Sequence, residues 1–229
     1  MNTKKNMNII GKRIPKLDAG DRVTGKSVYG TDIELPGMLH GSILRSKFPS
    51  AIIESIDVSK AKALPGVECV ITADDVDVTN LSYRKDHPVL KKDEVNCIRD
   101  EIAAVAAVSK DVAEKALELI EVNYIEREGI FDPIDALKND APRINKFNKE
   151  GNGNKNISES FHYEHGDMEA EKKKSACTVS RQYVLPKVTH ACMAPSNVTA
   201  DYSPVDGQLT LHSSTQVPFL YQKIGRAHV

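Results

Sequence analysis

The chain has 229 residues, enough for one large or two modest domains. Apolar residues make up 40% and charged residues 28%, which suits a globular core, and 31 basic side chains nearly cancel 32 acidic ones for a net charge of -1. That balance excludes nucleic acid or an anionic membrane surface as an expected partner, because both need clustered positive charge. No apolar stretch approaches the length of a membrane span. The N-terminus, MNTKKNMNIIGKR, lacks the apolar core of a signal peptide, so a cytoplasmic location is expected.

In chain order, the sequence takes on an ordered character from Ile14. Pro36-Gly37 signals a turn, and residues 38–44 then read as a strand. Residues 52–58 are a second strand candidate. Pro65-Gly66 is a further turn, and residues 67–72 read as a third strand. The clearest unit spans residues 101–126. Its first part, residues 102–108, is a continuous apolar run, as expected of a strand buried on both faces. Ser109 suits a helix N-cap and Asp111 the first turn. Val112, Ala113, Ala116, Leu117 and Ile120 then recur at helical spacing, with Lys110, Glu114, Lys115 and Glu118 facing outward. Val122 and Tyr124 begin a returning strand. The unit reads as a strand–helix–strand crossover, right-handed if both strands share a sheet.

Beyond Phe131-Asp132-Pro133 the texture changes. Residues 139–156, NDAPRINKFNKEGNGNKN, are rich in Asn, Lys and Gly and read as a linker. Gly151-x-Gly153 lacks the third glycine and preceding strand of a dinucleotide fingerprint. Strand signals resume at residues 160–165, 178–185, 197–202 and 208–213. The run Lys172-Lys173-Lys174 reads as a solvated face.

Few residues point to chemistry by themselves. Asp75, Asp77 and Thr79 mimic the start of a calcium loop, but its glycine and closing glutamate are missing, so a surface turn is expected. His190 and Cys192, with His162 and His165, lack the fourth ligand and spacing of a zinc site. Cys69, Cys97, Cys177 and Cys192 never form a C-x-x-C pair. That spacing excludes close-spaced iron–sulfur ligation, and buried free thiols are expected. Composition and spacing reach only a two-part α+β protein.

A resemblance carries the reading further. RVTGKSVYGTDIELPGMLHGSILRS from Arg22, IDVSKAKALPGVECVITADDV from Ile56, the segment from His87 to Glu126, and FDPIDAL from Phe131 follow one another as in the α/β hammerhead domain of the molybdenum hydroxylases. GDMEA from Gly166, THACMAPSNVTA from Thr189 and LTLHSSTQVP from Leu209 resemble the entry into that family's first cofactor-binding domain. The chain is thus similar to the molybdopterin-binding large subunit of the xanthine dehydrogenase and aldehyde oxidase family. The fold implied is α+β, an α/β hammerhead domain at 14–133, a linker at 134–157, and the start of a molybdopterin-binding domain at 158–229. Departures stand at Lys47, Ser50, Arg99 and Glu101 in the hammerhead, and at Ala194 and Ser196, where the family commonly has Glu and His.

The resemblance also implies a chemistry. An electron-poor carbon of a purine, N-heterocycle or aldehyde is hydroxylated with water-derived oxygen at a molybdenum–molybdopterin cofactor, with a glutamate as base. Electrons then leave through iron–sulfur clusters to FAD, expected on an iron–sulfur subunit and an FAD subunit. The glutamine of the family's S-T-Q motif carries onto Gln216 as a cofactor contact, a neutral amide able to donate without adding charge. From the residues alone, Gln216 would only cap the following segment. No catalytic residue and no protein metal ligand is assigned. The family's G-G-F-G-G loop and later Gly-Glu base motif do not occur before Val229, and IGRAHV from Ile224 resembles a translated sequencing-adapter read, so a truncated subunit is expected. The rival expectation is a non-catalytic hammerhead scaffold or assembly module.

Overall fold

Local chemistry places the elements, and the computed structural model describes residues 9–76, 87–146, 156–193, 195–220 and 222. The elements, in chain order, are α1 (Ala19–Val23), a 3-10 turn at Gly30–Asp32, β1 (His40–Arg45), β2 (Ala51–Asp57), α2 (Ser59–Lys62), β3 (Val67–Thr72), β4 (Glu94–Val95), β5 (Glu101–Ala107), α3 (Lys110–Glu118), β6 (Glu121–Glu126), α4 (Pro133–Ala136), α5 (Met168–Lys174), β7 (Val198–Ser203) and β8 (Gln208–Ser213). This is the mixed α+β fold expected. The chain forms two compact units, residues 37–180 and residues 1–36 with 181–229.

In the first unit the strands make two antiparallel three-stranded sheets, ordered β1-β5-β3 and β4-β2-β6. Odd-numbered strands build one sheet and even-numbered strands the other. The strand–helix–strand unit β5–α3–β6 is present as read, but β5 and β6 lie in different sheets, so the handedness that a shared sheet would impose does not arise. β5 is a central strand covered on both faces, as its apolar run suggested, yet its neighbours are antiparallel.

Alternation along β5 explains its burial. Ala103, Val105 and Ala107 face one core cluster with Val70 of β3, Ala113 and Ala116 of α3, and Ala61 of α2. Ile102 points the other way, into a second cluster with Ala51, Ile53 and Val95. Leu44, Ile56 and Val122 pack on both clusters and join them. The facing alanines of β5 and α3 let helix and sheet approach closely, so the layer has little room for added atoms. Across β2 and β6, Asn123 donates to the Ser55 hydroxyl at 2.8 Å, and Tyr124 meets Phe48 edge-on at 5.2 Å between ring centroids.

Caps end these elements as the residues dictate. Ser109 has extended backbone, φ -149, and its hydroxyl accepts from the Val112 N–H at 3.3 Å, starting α3. Gly66, at φ +90, closes the turn before β3, and its carbonyl accepts from the Val108 N–H at 2.9 Å. Past β6, Asn156 donates its amide to the carbonyls of Ala136 at 3.0 Å and Pro142 at 2.9 Å, and accepts from the Ile144 N–H at 3.0 Å.

Two expected strands are absent among the described residues. Residues 160–165 and 178–185 carry no strand, and Phe161 and Leu185 are 94% and 89% exposed. Side-chain alternation marks a segment that can join a sheet, but a strand exists only where a neighbour takes its backbone groups. α5 forms between them, capped by Asp167, whose carboxylate accepts from the Ala170 N–H at 2.9 Å. Its closing lysines are a solvated face as read, Lys172 and Lys174 pairing with Glu169 and Glu171 one turn back.

Candidate cofactor-contact site

In the second unit, β7 and β8 pair from Val198↔Ser213 to Ser203↔Gln208. Gly207 at φ +70 closes the turn, its N–H donating to the Ser203 carbonyl at 2.9 Å. The Ser203 hydroxyl, and then the Gln208 N–H, hold the Asp206 carboxyl below the usual carboxylate range. The turn end is thereby fixed, and the open end of the hairpin is where the chemistry-bearing segments meet.

Residues 195–197 enter β7 there, and residues 214–217 leave β8 beside them. The Ser213 hydroxyl donates to the Asn197 carbonyl at 3.3 Å, joining the two. The Thr215 hydroxyl accepts from the Val217 N–H at 3.1 Å, and the Leu220 N–H donates to the Val217 carbonyl at 3.0 Å. Thr215 therefore caps the following turn, the role that composition alone would give to Gln216. The Gln216 amide is exposed and makes no hydrogen bond among the described residues. Upstream, Ala191 sits at φ 46, in the left-handed region, and its N–H donates to the Thr189 hydroxyl at 3.3 Å. Such backbone costs on the order of 1 kcal/mol for a residue with a Cβ. Ser196 is exposed, and Ala194 lies outside the described residues.

A contact that no sequence signal marked joins the N-terminal segment to this end of the hairpin. The Tyr29 N–H donates to the Asp32 carboxylate at 2.8 Å and the Asp32 N–H to the Tyr29 carbonyl at 2.9 Å, fixing the Gly30–Asp32 turn. A Cβ on Gly30 would lie 2.5 Å from Asn197 Oδ1 and 2.7 Å from its Nδ2.

The other singled-out residues do not converge. Asp75 accepts from the Thr72 N–H at 2.8 Å and hydroxyl at 3.0 Å, and those bonds lower its pKa; it closes a turn. Asp77, Thr79, Gly151 and Gly153 lie outside the described residues. His162 lies 3.6 Å from Glu164 on the surface, and no group of three or more His, Cys, Asp or Glu side chains among the described residues is placed to hold a metal. The four cysteines are free, but the expectation that they are buried is corrected: all are exposed. On β3 the cause is visible, since Cys69 falls one place before the core residue Val70 and so takes the outer face.

Residues 24–128 match the model of the aldehyde oxidase and xanthine dehydrogenase a/b hammerhead domain, and residues 149–227 that of the molybdopterin cofactor-binding domain. The nicotinate dehydrogenase large molybdopterin subunit of Eubacterium barkeri is 35% identical over 93% of this chain and 49% of its own length. A probable xanthine dehydrogenase subunit of Bacillus subtilis is 37% identical over 87% of this chain and 26% of its own length. The crystal structure of the Cu,Mo-CO dehydrogenase in its carbon monoxide reduced state is similar with a TM-score of 0.81 at 30% identity, covering 93% of this chain and 28% of that one. The chain thus spans about a quarter to a half of the length of these relatives.

Proposed function

Because this chain belongs to the aldehyde oxidase and xanthine dehydrogenase family, as a stretch of its molybdopterin-binding large subunit, we propose that it is the front part of a xanthine dehydrogenase-like catalytic subunit. That subunit hydroxylates an electron-poor carbon of a purine, N-heterocycle or aldehyde with water-derived oxygen. The observation that carries this reading is the order of the two matched domains, with the open Gln216 amide falling inside the second.

The residues fit the group. Gln216 is an exposed neutral donor that makes no hydrogen bond among the described residues, as a contact to an oxygen-rich cofactor requires. When bound, the molybdenum–molybdopterin cofactor supplies the two-electron redox chemistry. Thr215 fixes the turn, and the Gln216 side-chain N–H would be the group that holds the cofactor there. We assign the two-sheet scaffold to residues 14–133, a linker to 134–157 and the cofactor-binding domain to 158 onward, on the composition break at residues 139–156. An iron–sulfur subunit and an FAD subunit would carry the electrons away, with a small molecule as substrate, in the cytoplasm. No helix among the described residues is long and apolar enough to cross a membrane.

The test is molybdenum content of the complex purified after a full-length subunit carrying this stretch is co-expressed with iron–sulfur and flavin subunits, alongside turnover of purines, N-heterocycles and aldehydes. Wild type should hold stoichiometric metal. Gln216→Ala should lose about tenfold in cofactor affinity, the worth of one buried hydrogen bond. A metal-free, inactive wild-type complex overturns the reading.

A further inference from the structure

We infer that Asn197, seated on Gly30, is a positioning residue for the Gln216 turn and acts through Ser213. This rests on the reading of Gln216 as a cofactor contact. Three observations meet at one place. The Gly30–Asp32 turn is fixed by its own pair of hydrogen bonds, so Gly30 is a firm surface. The Asn197 side chain lies against that surface so closely that a Cβ on Gly30 would sit 3.0 Å from its Cγ and nearer still to both terminal atoms. The carbonyl of the same residue receives the Ser213 hydroxyl at 3.3 Å, and Ser213 lies three residues before Gln216.

A lone two-stranded hairpin is marginal in water, and its open end frays first. Val198 and Tyr202 on β7 are more than half exposed, so the hairpin gets little support from burial along its length. The Asn197 seat therefore acts where support is most needed, at the rung that aligns residues 214–217. Gly30 works by absence: the space a Cβ would take is filled by the asparagine, which makes the two positions a size-matched pair.

Amide hydrogen exchange on the 229-residue chain tests this without any cofactor. Gly30→Ala should speed exchange in residues 198–217 about tenfold, by displacing Asn197, and leave β5 and α3 unchanged. Asn197→Ala should also speed it. The double variant should exchange more slowly than Gly30→Ala alone, because the added methyl then fills the vacated space. Ser213→Ala, which leaves the seat intact, should speed exchange at residues 214–217 selectively. Simple additivity of the two seat substitutions, or an unchanged 214–217 turn in Ser213→Ala, overturns the proposal. Gln216→Ala should not alter exchange; its effect on molybdenum content bears on the cofactor reading alone, so the two can fail separately.

Discussion

Arg45 grips Glu101 across the last rung of β1 and β5: its Nη1 donates to the Glu101 carboxylate at 2.6 Å and to the Arg99 carbonyl at 2.9 Å. The β1–β5 register shifts between Leu44 and Arg45, so the pair sits where the ladder is irregular. His87 adds its Nε2 at 3.5 Å from the other carboxylate oxygen. Burial raises the Glu101 carboxyl, but a bond from its own backbone, the Arg45 guanidinium and His87 outweigh it and hold the carboxyl below the usual range. A lowered folded pKa contributes stability above the unfolded value, which is lost as pH falls through the folded one. Arg45→Ala should cost about 0.5–1 kcal/mol at pH 7, since the pair is partly screened by solvent, with the difference from wild type shrinking as pH falls below about 4. Urea titrations at pH 7 and pH 3 check this; an equal loss at both would refute the charge argument.

Ser109→Ala removes the hydroxyl that receives the Val112 N–H and should destabilise the 37–180 unit by about 1 kcal/mol. Ser109→Asp should keep most of the stability, since its carboxylate can accept the same bond. Thermal melts of the three proteins decide it, and a Ser109→Asp variant as weak as Ser109→Ala would show that the cap contributes nothing.

Two glycines offer an internal comparison. Gly66 and Gly37 both hold positive φ, +90 and +74, but a Cβ on Gly66 would meet Val108 Cγ2 at 2.9 Å while nothing lies within 4 Å of Gly37. Gly37→Ala should cost about 1 kcal/mol from backbone strain alone. Gly66→Ala should cost about 2–3 kcal/mol, because a clash adds to it. Equal midpoint shifts in denaturant would mean that Val108 moves aside freely.

The 229-residue chain purified without partners should retain no molybdenum and hydroxylate neither xanthine nor aldehydes. Gln216 offers one hydrogen bond, worth on the order of 1 kcal/mol net, and that cannot retain a cofactor at cellular concentration. Metal analysis with activity assays tests the claim, and stoichiometric molybdenum would refute it.

Local signals in the sequence were faithful where one short stretch decides the outcome. Strands β3 and β8 occupy the residues their patterns marked, and Ser109 caps α3 as its side chain allows. The sheet that β6 joins was not legible, because its partner β2 is chosen by packing of Ile53, Val122 and Tyr124 in a cluster assembled from distant residues. β4 was missed for its brevity: two residues, Glu94 and Val95, carry no periodicity. At the candidate site Gln216 could be named from a motif, but not the cap that Thr215 takes. The Gly30 seat depends on a contact between chain ends that only the fold creates.

The odd–even weave of strands also bears on synthesis. His40 must wait for Ala107, and Ala51 for Val95 on one side and Glu126 on the other, before their rungs can form. A chain emerging from the ribosome therefore cannot bank β1 and β2 as a finished hairpin. β1 remains unpaired until Ala107 has cleared the exit tunnel, and β2, which meets only the two-residue β4 before then, lacks its long partner until Glu126 follows. Assembly then proceeds through distant pairings, whose loop closures slow folding. During that interval the nascent segment from His40 to Asp57 is a natural client for chaperones that hold extended apolar chain.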